Sequence, residues 1–302
     1  MKRVIALGFF DGVHIGHGAL FRRAAEMARE LEATPAAVTF DVPPAKRMGG
    51  QPVPLLSSLD VRRELMEELY GVEMLTLIFD DELRQLPWDD FITEVLIREY
   101  DAVGVVCGRD YRFGWKGAGT SAMLQEKCAQ LGLACQVIDK IALSGTTVSS
   151  TYIRGLVTEG NVREARRFLG HPYMLSGTVE HGKRLGRRIG IPTTNLTPSE
   201  GLLLPPFGVY TTVARLESGA RYPAVTNIGV RPTVDDSARV SIESWLLDFD
   251  GDLYGQHLRV ELYDYLRPER KFSSLEELVR EIHRDRDVVR SWIERHPEFL
   301  EG

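Results

Sequence analysis

The grammar of the chain changes near residue 170. Before that point, short β-branched runs at 4–9, 36–40, 74–79, 102–107 and 134–138 alternate with longer stretches at 20–31, 61–69, 91–97 and 123–131. In the longer stretches apolar residues recur every three or four positions, which predicts amphipathic helices between strands. Strands that alternate with helices pair in parallel through right-handed crossovers, and a run such as Val103-Gly104-Val105-Val106 is apolar enough to be buried on both faces. After residue 170, strand-like runs at 175–180, 209–216, 222–227, 239–247 and 258–262 follow one another through Gly, Pro and Asp turns, with no helical pattern until Leu275. Strands joined without crossovers pair antiparallel, and a small sheet of them must close or be covered to hide its edges. The expectation is α/β plus β: a doubly wound parallel-sheet domain over 1–169 and a small antiparallel β-barrel with C-terminal helices over 170–302. The junction falls at Phe168-Leu169-Gly170-His171-Pro172, where Gly and Pro end a helical pattern.

Two cores of ordinary size fit within 302 residues. Hydrophobic residues at 43% and charged residues at 26% place the chain among compact globular proteins. Forty-three acids against thirty-seven bases give a net charge of −6, without the broad positive field that captures nucleic acid, so any phosphate must be met by local groups. No apolar run approaches the roughly 18 residues of a membrane span, and the run 4–7 stops at Gly8 without a cleavage pattern. Cys107, Cys128 and Cys135 are odd in number and never spaced C-x-x-C, so neither a disulfide framework nor a zinc site is expected, and a reducing cytoplasm fits. Nothing in the sequence sets an oligomeric state. The tail 274–294 has helical spacing at Leu275, Leu278, Val279, Ile282, Val288, Val289 and Ile293, with Glu276, Glu277, Arg280, Glu281 and Arg284 expected on a solvated face.

Chemistry-bearing residues gather first at Gly8-Phe9-Phe10-Asp11-Gly12-Val13-His14-Ile15-Gly16-His17, between the first strand and the first helix. That is where α/β sheets bind phosphates. Gly12 and Gly16 allow close backbone approach, and two imidazoles three residues apart suit one phosphate and the charge of an in-line transition state. Gly108-Arg109-Asp110-Tyr111-Arg112-Phe113-Gly114 likewise follows a strand, and Val148-Ser149-Ser150-Thr151-Tyr152-Ile153-Arg154 gathers hydroxyls and free N–H groups at a helix start beside a bidentate donor. In this order the three segments resemble the signature of the nucleotidylyltransferase superfamily in the form typical of FAD synthetases. The resemblance implies adenylyl transfer from ATP to FMN, with His14 and His17 on the phosphates. It also implies ATP contacts from Phe9, Asp11, Gly12, Gly16, Gly108, Asp110, Arg112, Ser149, Ser150, Thr151 and Arg154, and a flavin contact from Asp41. After Thr39-Phe40-Asp41, Val42-Pro43-Pro44 replaces a histidine-proline pair common in that family.

A second concentration runs from Gly177 to Asn195, rich in glycine and base but lacking a Walker A loop. It closely resembles the riboflavin kinase signature. Thr193 and Asn195 would then offer oxygens to Mg²⁺ held with ATP, and Gly177, Gly182, Lys183, Gly186, Arg187 and Pro192 would line the nucleotide. Thr194 fills a slot usually held by alanine. Ser241-Ile242-Glu243-Ser244-Trp245, followed by Asp250-Gly251-Asp252-Leu253-Tyr254-Gly255, is similar to the strand carrying that family's catalytic glutamate, with Trp245 at a usual histidine position. Glu243 is therefore the candidate general base. Asn227 and Arg267, in segments that also look like the family's, are candidate flavin contacts. The resemblance as a whole is to bacterial bifunctional riboflavin kinase/FAD synthetases acting on ATP, riboflavin and FMN, with no nucleic-acid or membrane partner. A competing reading, in which the altered 42–44 loop leaves only riboflavin kinase active, stays open on sequence.

Overall fold

A computed structural model describes residues 1–44, 53–181, 190–231 and 239–301. By internal contact these divide into two compact units, 1–55 with 59–150, and 56–58 with 151–302. The contact division precedes the junction expected at 169/170, because the helices α5 (Ser150–Thr158) and α6 (Val162–Leu169) group with the second unit. The reason is amphipathic: α6 buries Val162, Ala165, Phe168 and Leu169 and sets Arg166 over the Tyr263 ring at 5.4 Å.

The first unit carries a sheet of β1 (Arg3–Leu7), β2 (Thr34–Phe40), β3 (Glu73–Leu77), β4 (Ala102–Gly108) and β5 (Ala134–Ile138). Every pairing is parallel, in the order β3-β2-β1-β4-β5. The central strands are the most apolar, with Val4, Ile5, Ala6, Val105 and Val106 at zero exposure, while every residue of edge strand β5 is only half-buried. Burying each such aliphatic side chain contributes about 1.5–3 kcal/mol. Helices α1 (Ile15–Glu30), α2 (Leu59–Tyr70) and α4 (Ser121–Leu131) form where helical spacing predicts them. The expected helix at 91–97 is α3 (Phe91–Glu99), wound in π fashion, and it closes with Tyr100 N–H on the Val95 carbonyl. The order β3-β2-β1-β4-β5 reverses direction between β1 and β4, so the loops after these two strands meet at the switch point of the sheet. The first and second motifs occupy those two loops.

The second unit is a six-stranded sheet of β6 (Tyr173–Thr178), β7 (Thr194–Leu196), β8 (Gly208–Leu216), β9 (Arg221–Arg231), β10 (Arg239–Leu246) and β11 (His257–Pro268). Neighbours run antiparallel in the order β6-β11-β8-β9-β10-β7. The sheet curls until chain just past β6 meets β7 at the Val179↔Leu196 bridge, with Glu180 N–H on the Asn195 carbonyl. Strand β7 is absent from the sequence expectation because it is short and polar, and its partner strand identifies it. Inside the curl, Thr212, Thr226 and Ser244 are fully buried and joined at 2.7 and 2.8 Å, with Thr212 donating onward to the Ala224 carbonyl at 2.9 Å. The chain of hydroxyls satisfies groups that would otherwise cost about 1–3 kcal/mol each to bury.

Helix α7 (Leu275–Glu294) covers the outer face, its N-terminus capped by Ser274 and closed by Glu277 reaching back to Ser273. The expected plural helices reduce to this one and a single turn at Pro297–Phe299 among the described residues. Two details of its expected faces differ. Leu275 and Val288 are exposed, whereas Asp285 is 6% exposed in the inward stripe with Val289 and Trp292. Glu281 is not on the solvated face: its side chain is 13% exposed and lies 3.1 Å from Arg270.

Candidate active sites

In the first unit a cavity of about 250 Å³ lies at the switch point, lined by residues of all three motifs, among them His14, Gly16, His17, Gly108, Asp110 and Ser149. His14 opens α1 as its N-cap and its Nδ1 accepts the His17 N–H at 3.2 Å, so a neutral His14 carries its ring proton on Nε2. The two imidazoles stack with centroids 3.5 Å apart and planes 15° apart. Burial, then His14, then the Arg62 guanidinium push the His17 titration well below the ordinary histidine range. A β-carbon on Gly16 would lie 3.1 Å from the His14 ring, which accounts for glycine there. Phe10 (φ 57°) and Val13 (φ 43°) take left-handed backbone that costs about 1–3 kcal/mol each and is typical of ligand clamps. Ser150 Oγ donates to the Asp11 carbonyl at 3.0 Å, tying the third motif to the first. At the rim, Arg109 pairs with Asp139, and Lys140 lies 3.0 Å from Asp110. These exposed pairs contribute little stability, so their cations are free to turn to an entering polyphosphate.

The same unit holds a further cavity of about 520 Å³, lined by Phe40, Phe79, Phe91 and Phe113, with Arg84, Arg112 and Lys116 as cations. Phe40 and Phe79 meet at 5.0 Å, and Phe91 and Phe113 at 5.7 Å. Such walls suit a flat aromatic ligand carrying a phosphate.

Two cavities of the second unit are lined by described residues. One of about 420 Å³ is bounded by Pro192, Thr193, Thr194 and the turn Asp250–Tyr254. The other, about 340 Å³, lies between the sheet and α7 and is lined by Thr193, Asn227, Glu243, Trp245, Arg267 and Asp285, among others. Strand register assembles its polar wall, with Glu243 opposite Asn227, Asn227 opposite Val209 and Val209 opposite Arg267, and the row continues to Asn195, opposite Glu243 but outside the lining. Directly opposed residues share a sheet face, so one row crosses five strands. Arg267 is clamped by Asp285 of α7 at 2.7 and 3.1 Å, and Asn227 Nδ2 donates to Glu269 at 3.0 Å. Thr193 borders both cavities, and it is where they adjoin.

Comparison with known proteins decides the family. The FAD synthetase family matches residues 1–152 and the riboflavin kinase family residues 169–293. A bifunctional riboflavin kinase/FMN adenylyltransferase of Listeria monocytogenes is 35% identical over 295 residues, 97% of this chain and 93% of that one. The Escherichia coli K12 protein of the same name is 33% identical over 290 residues, 96% and 92% of the two chains. The chain belongs to the bifunctional riboflavin kinase/FMN adenylyltransferase family. A crystal structure described as a macrolide-efflux protein from Streptococcus pneumoniae shares its fold, with a TM-score of 0.82, 30% identity and coverage of 96% of this chain and 95% of that one. No helix among the described residues here is long and apolar enough to cross a membrane.

Against this family frame, the structure places the expected residues unequally. Gly108, Asp110, Ser149 and Ser150 line the first cavity with both histidines. Phe9 and Asp11 do not line it: Asp11 is 2% exposed and 3.9 Å from Arg62, and Gly12 turns the same loop. Arg112 lines the aromatic cavity instead, because the hairpin pairing Arg112–Phe113 with Gly119–Thr120 turns it there. Asp41 accepts the Phe79 N–H at 2.8 Å and shapes the loop after β3. Thr151 and Arg154 lie on α5, which groups with the second unit. Gly177 sits in β6, where a β-carbon would come 2.9 Å from the Thr197 carbonyl. Gly182, Lys183, Gly186 and Arg187 lie outside the described residues. Sequence reading missed Arg62 and Asp285. Each is a charged residue at an inward position of an amphipathic helix, and that misplacement in the pattern was the available signal.

Proposed function

We propose that the second unit phosphorylates riboflavin to FMN with ATP and that the first unit adenylylates FMN to FAD with a second ATP. The observation that carries this reading is that each unit holds a glycine- or turn-lined cavity and a separate aromatic or apolar one, the pairing a nucleotide and a flavin require. In the kinase, Glu243 takes the proton of the ribityl 5′-hydroxyl as its oxygen attacks the γ-phosphorus, and ADP leaves; such proton transfer typically contributes about 10²–10⁴-fold. Arg267, held by Asp285, and Asn227, held by Glu269, orient the flavin, while Trp245 supplies apolar wall. The Thr193 hydroxyl and Asn195 amide are hard, neutral oxygens, a donor set that fits Mg²⁺ chelated mainly by ATP. When bound, Mg²⁺ would neutralise polyphosphate charge there.

In the first unit, an FMN phosphate oxygen attacks the α-phosphorus and diphosphate leaves, with no covalent enzyme intermediate. His14 donates from Nε2 and His17 from its ring, so catalysis is positioning and charge stabilisation. The aromatic cavity of the same unit takes the isoalloxazine ring, with Arg112 and Lys116 near its phosphate. We keep residue 169/170 as the start of the kinase, in accord with the family match beginning at 169, and we place the enzyme in the cytoplasm.

The deciding test is incubation of the chain with Mg-ATP and either riboflavin or FMN, followed by chromatography. FMN is expected from the first and FAD from the second. No FAD from FMN would sink the adenylyltransferase half and leave riboflavin kinase alone.

A further inference from the structure

Neither transfer reaction, as described, needs Arg62 in contact with a substrate. Its side chain is nevertheless 2% exposed, among the largest fully buried side chains of the described residues. A buried guanidinium is costly unless well paired, and an apolar residue of similar volume is often as stable or more so. Every resolved contact of Arg62 goes to one place. Its Nη1 donates to the Phe9 carbonyl at 2.8 Å and to Thr39 Oγ1 at 3.3 Å, its Nη2 lies 3.9 Å from Asp11 Oδ1, and its Cζ sits 4.4 Å over the Phe9 ring. Thr39 reinforces the same carbonyl at 2.8 Å, while Arg62 Nε has no hydrogen-bond partner among the described residues. The group is matched to the loop rather than saturated for stability.

We propose that Arg62 is a positioning residue for adenylyl transfer, holding the Phe9 carbonyl and the Asp11 carboxylate and setting a permanent positive charge against the loop that leads to His17. The inference rests on the adenylyl-transfer reading of this site. The loop needs such a hold, because left-handed Phe10 and Val13 persist only where their surroundings over-determine them. The charge matters because Arg62 adds to burial and His14 in disfavouring imidazolium at His17. The other charged groups lining the cavity are the mutually neutralised pairs Arg109–Asp139 and Asp110–Lys140, while Asp11 is buried in the loop 3.9 Å from Arg62 and does not line it. Burial lowers Arg62 itself to about 10, opposed by Asp11, so it stays cationic at neutral pH. A neutral His17 follows charge as it moves onto the α-phosphoryl oxygens without first locking the polyphosphate into a ground-state ion pair.

The test uses Arg62→Met and Arg62→Lys in the full chain, with FAD formation from FMN and Mg-ATP measured against pH. Removing a nearby positive charge favours imidazolium, so the acid limb of kcat/KM in Arg62→Met rises toward the ordinary histidine range. Relative to its own alkaline plateau, that variant loses more activity near pH 6 than wild type, up to about fourfold if the limb reaches the ordinary histidine value near 6.5. Arg62→Lys keeps the wild-type limb and shows only a pH-independent loss, because it retains the charge but not the fork. Coincident limbs in the two variants, or full activity in Arg62→Met, overturn the proposal. A second readout needs neither activity nor the methionine variant: NMR titration of the wild-type His17 ring is expected to find it neutral near pH 6, and an ordinary midpoint near 6.5 overturns the proposal. Failure of the underlying reading looks different, since wild type would then make no FAD at any pH whatever His17 does.

Discussion

The two candidate sites are built by opposite means. In the first unit the chemistry sits on loops beyond the ends of β1 and β4, where the backbone has no ladder to hold it, and its geometry depends on strained residues, a histidine cap and a buried arginine. In the second unit it sits on strand faces, where hydrogen-bonded register alone sets Asn195, Glu243 and Asn227 side by side. Loop sites give backbone N–H groups to phosphates and need support from beneath. Strand sites give aligned side chains and need only that no strand slips, because a one-residue slip turns each of them to the other face.

That contrast can be broken at its strongest point by Glu243→Gln. The substitution removes the proposed base without disturbing strand pairing, so FMN formation is expected to fall by about 10²–10⁴-fold while FAD formation from supplied FMN continues. His17→Ala is the mirror experiment: FAD formation drops by about 10²–10³-fold and riboflavin phosphorylation persists. Loss of both activities in either folded variant would show that the two sites are not independent. The smallest effect sharpens the point about register. Gly208 opens β8 with φ 155°, and a β-carbon there would lie 2.5 Å from the Arg267 carbonyl. Gly208→Ala is expected to cost about 1–3 kcal/mol, read by thermal melting, and to raise the KM for riboflavin by displacing Arg267, with FAD formation from FMN unchanged.

Much of this was legible beforehand. Hydrophobic period is a local signal, so the alternation before residue 170, the strand run after it and the helix over 274–294 could be read directly from the chain. The motifs around His14, Ser149, Thr193 and Glu243 were legible for the same reason, each being a short contiguous string. Strand β7 was not, since three residues carry too little pattern, and Glu281 was read as part of a solvated face because charge at helical spacing usually is one, while Asp285, a charge at an inward position, went unread.

The sequence by itself determined which elements form, their order and the residue types at each reactive centre, all consequences of neighbours along the chain. Only the tertiary structure decided which distant residues share a wall. It sent Arg112 to the aromatic cavity and put Arg62 against a loop some fifty positions earlier. It also drew Asn195, Asn227, Glu243 and Arg267 from four strands into one row. Those outcomes depend on strand register and on burial of specific charges, free energies of long-range pairing that no local window of sequence contains.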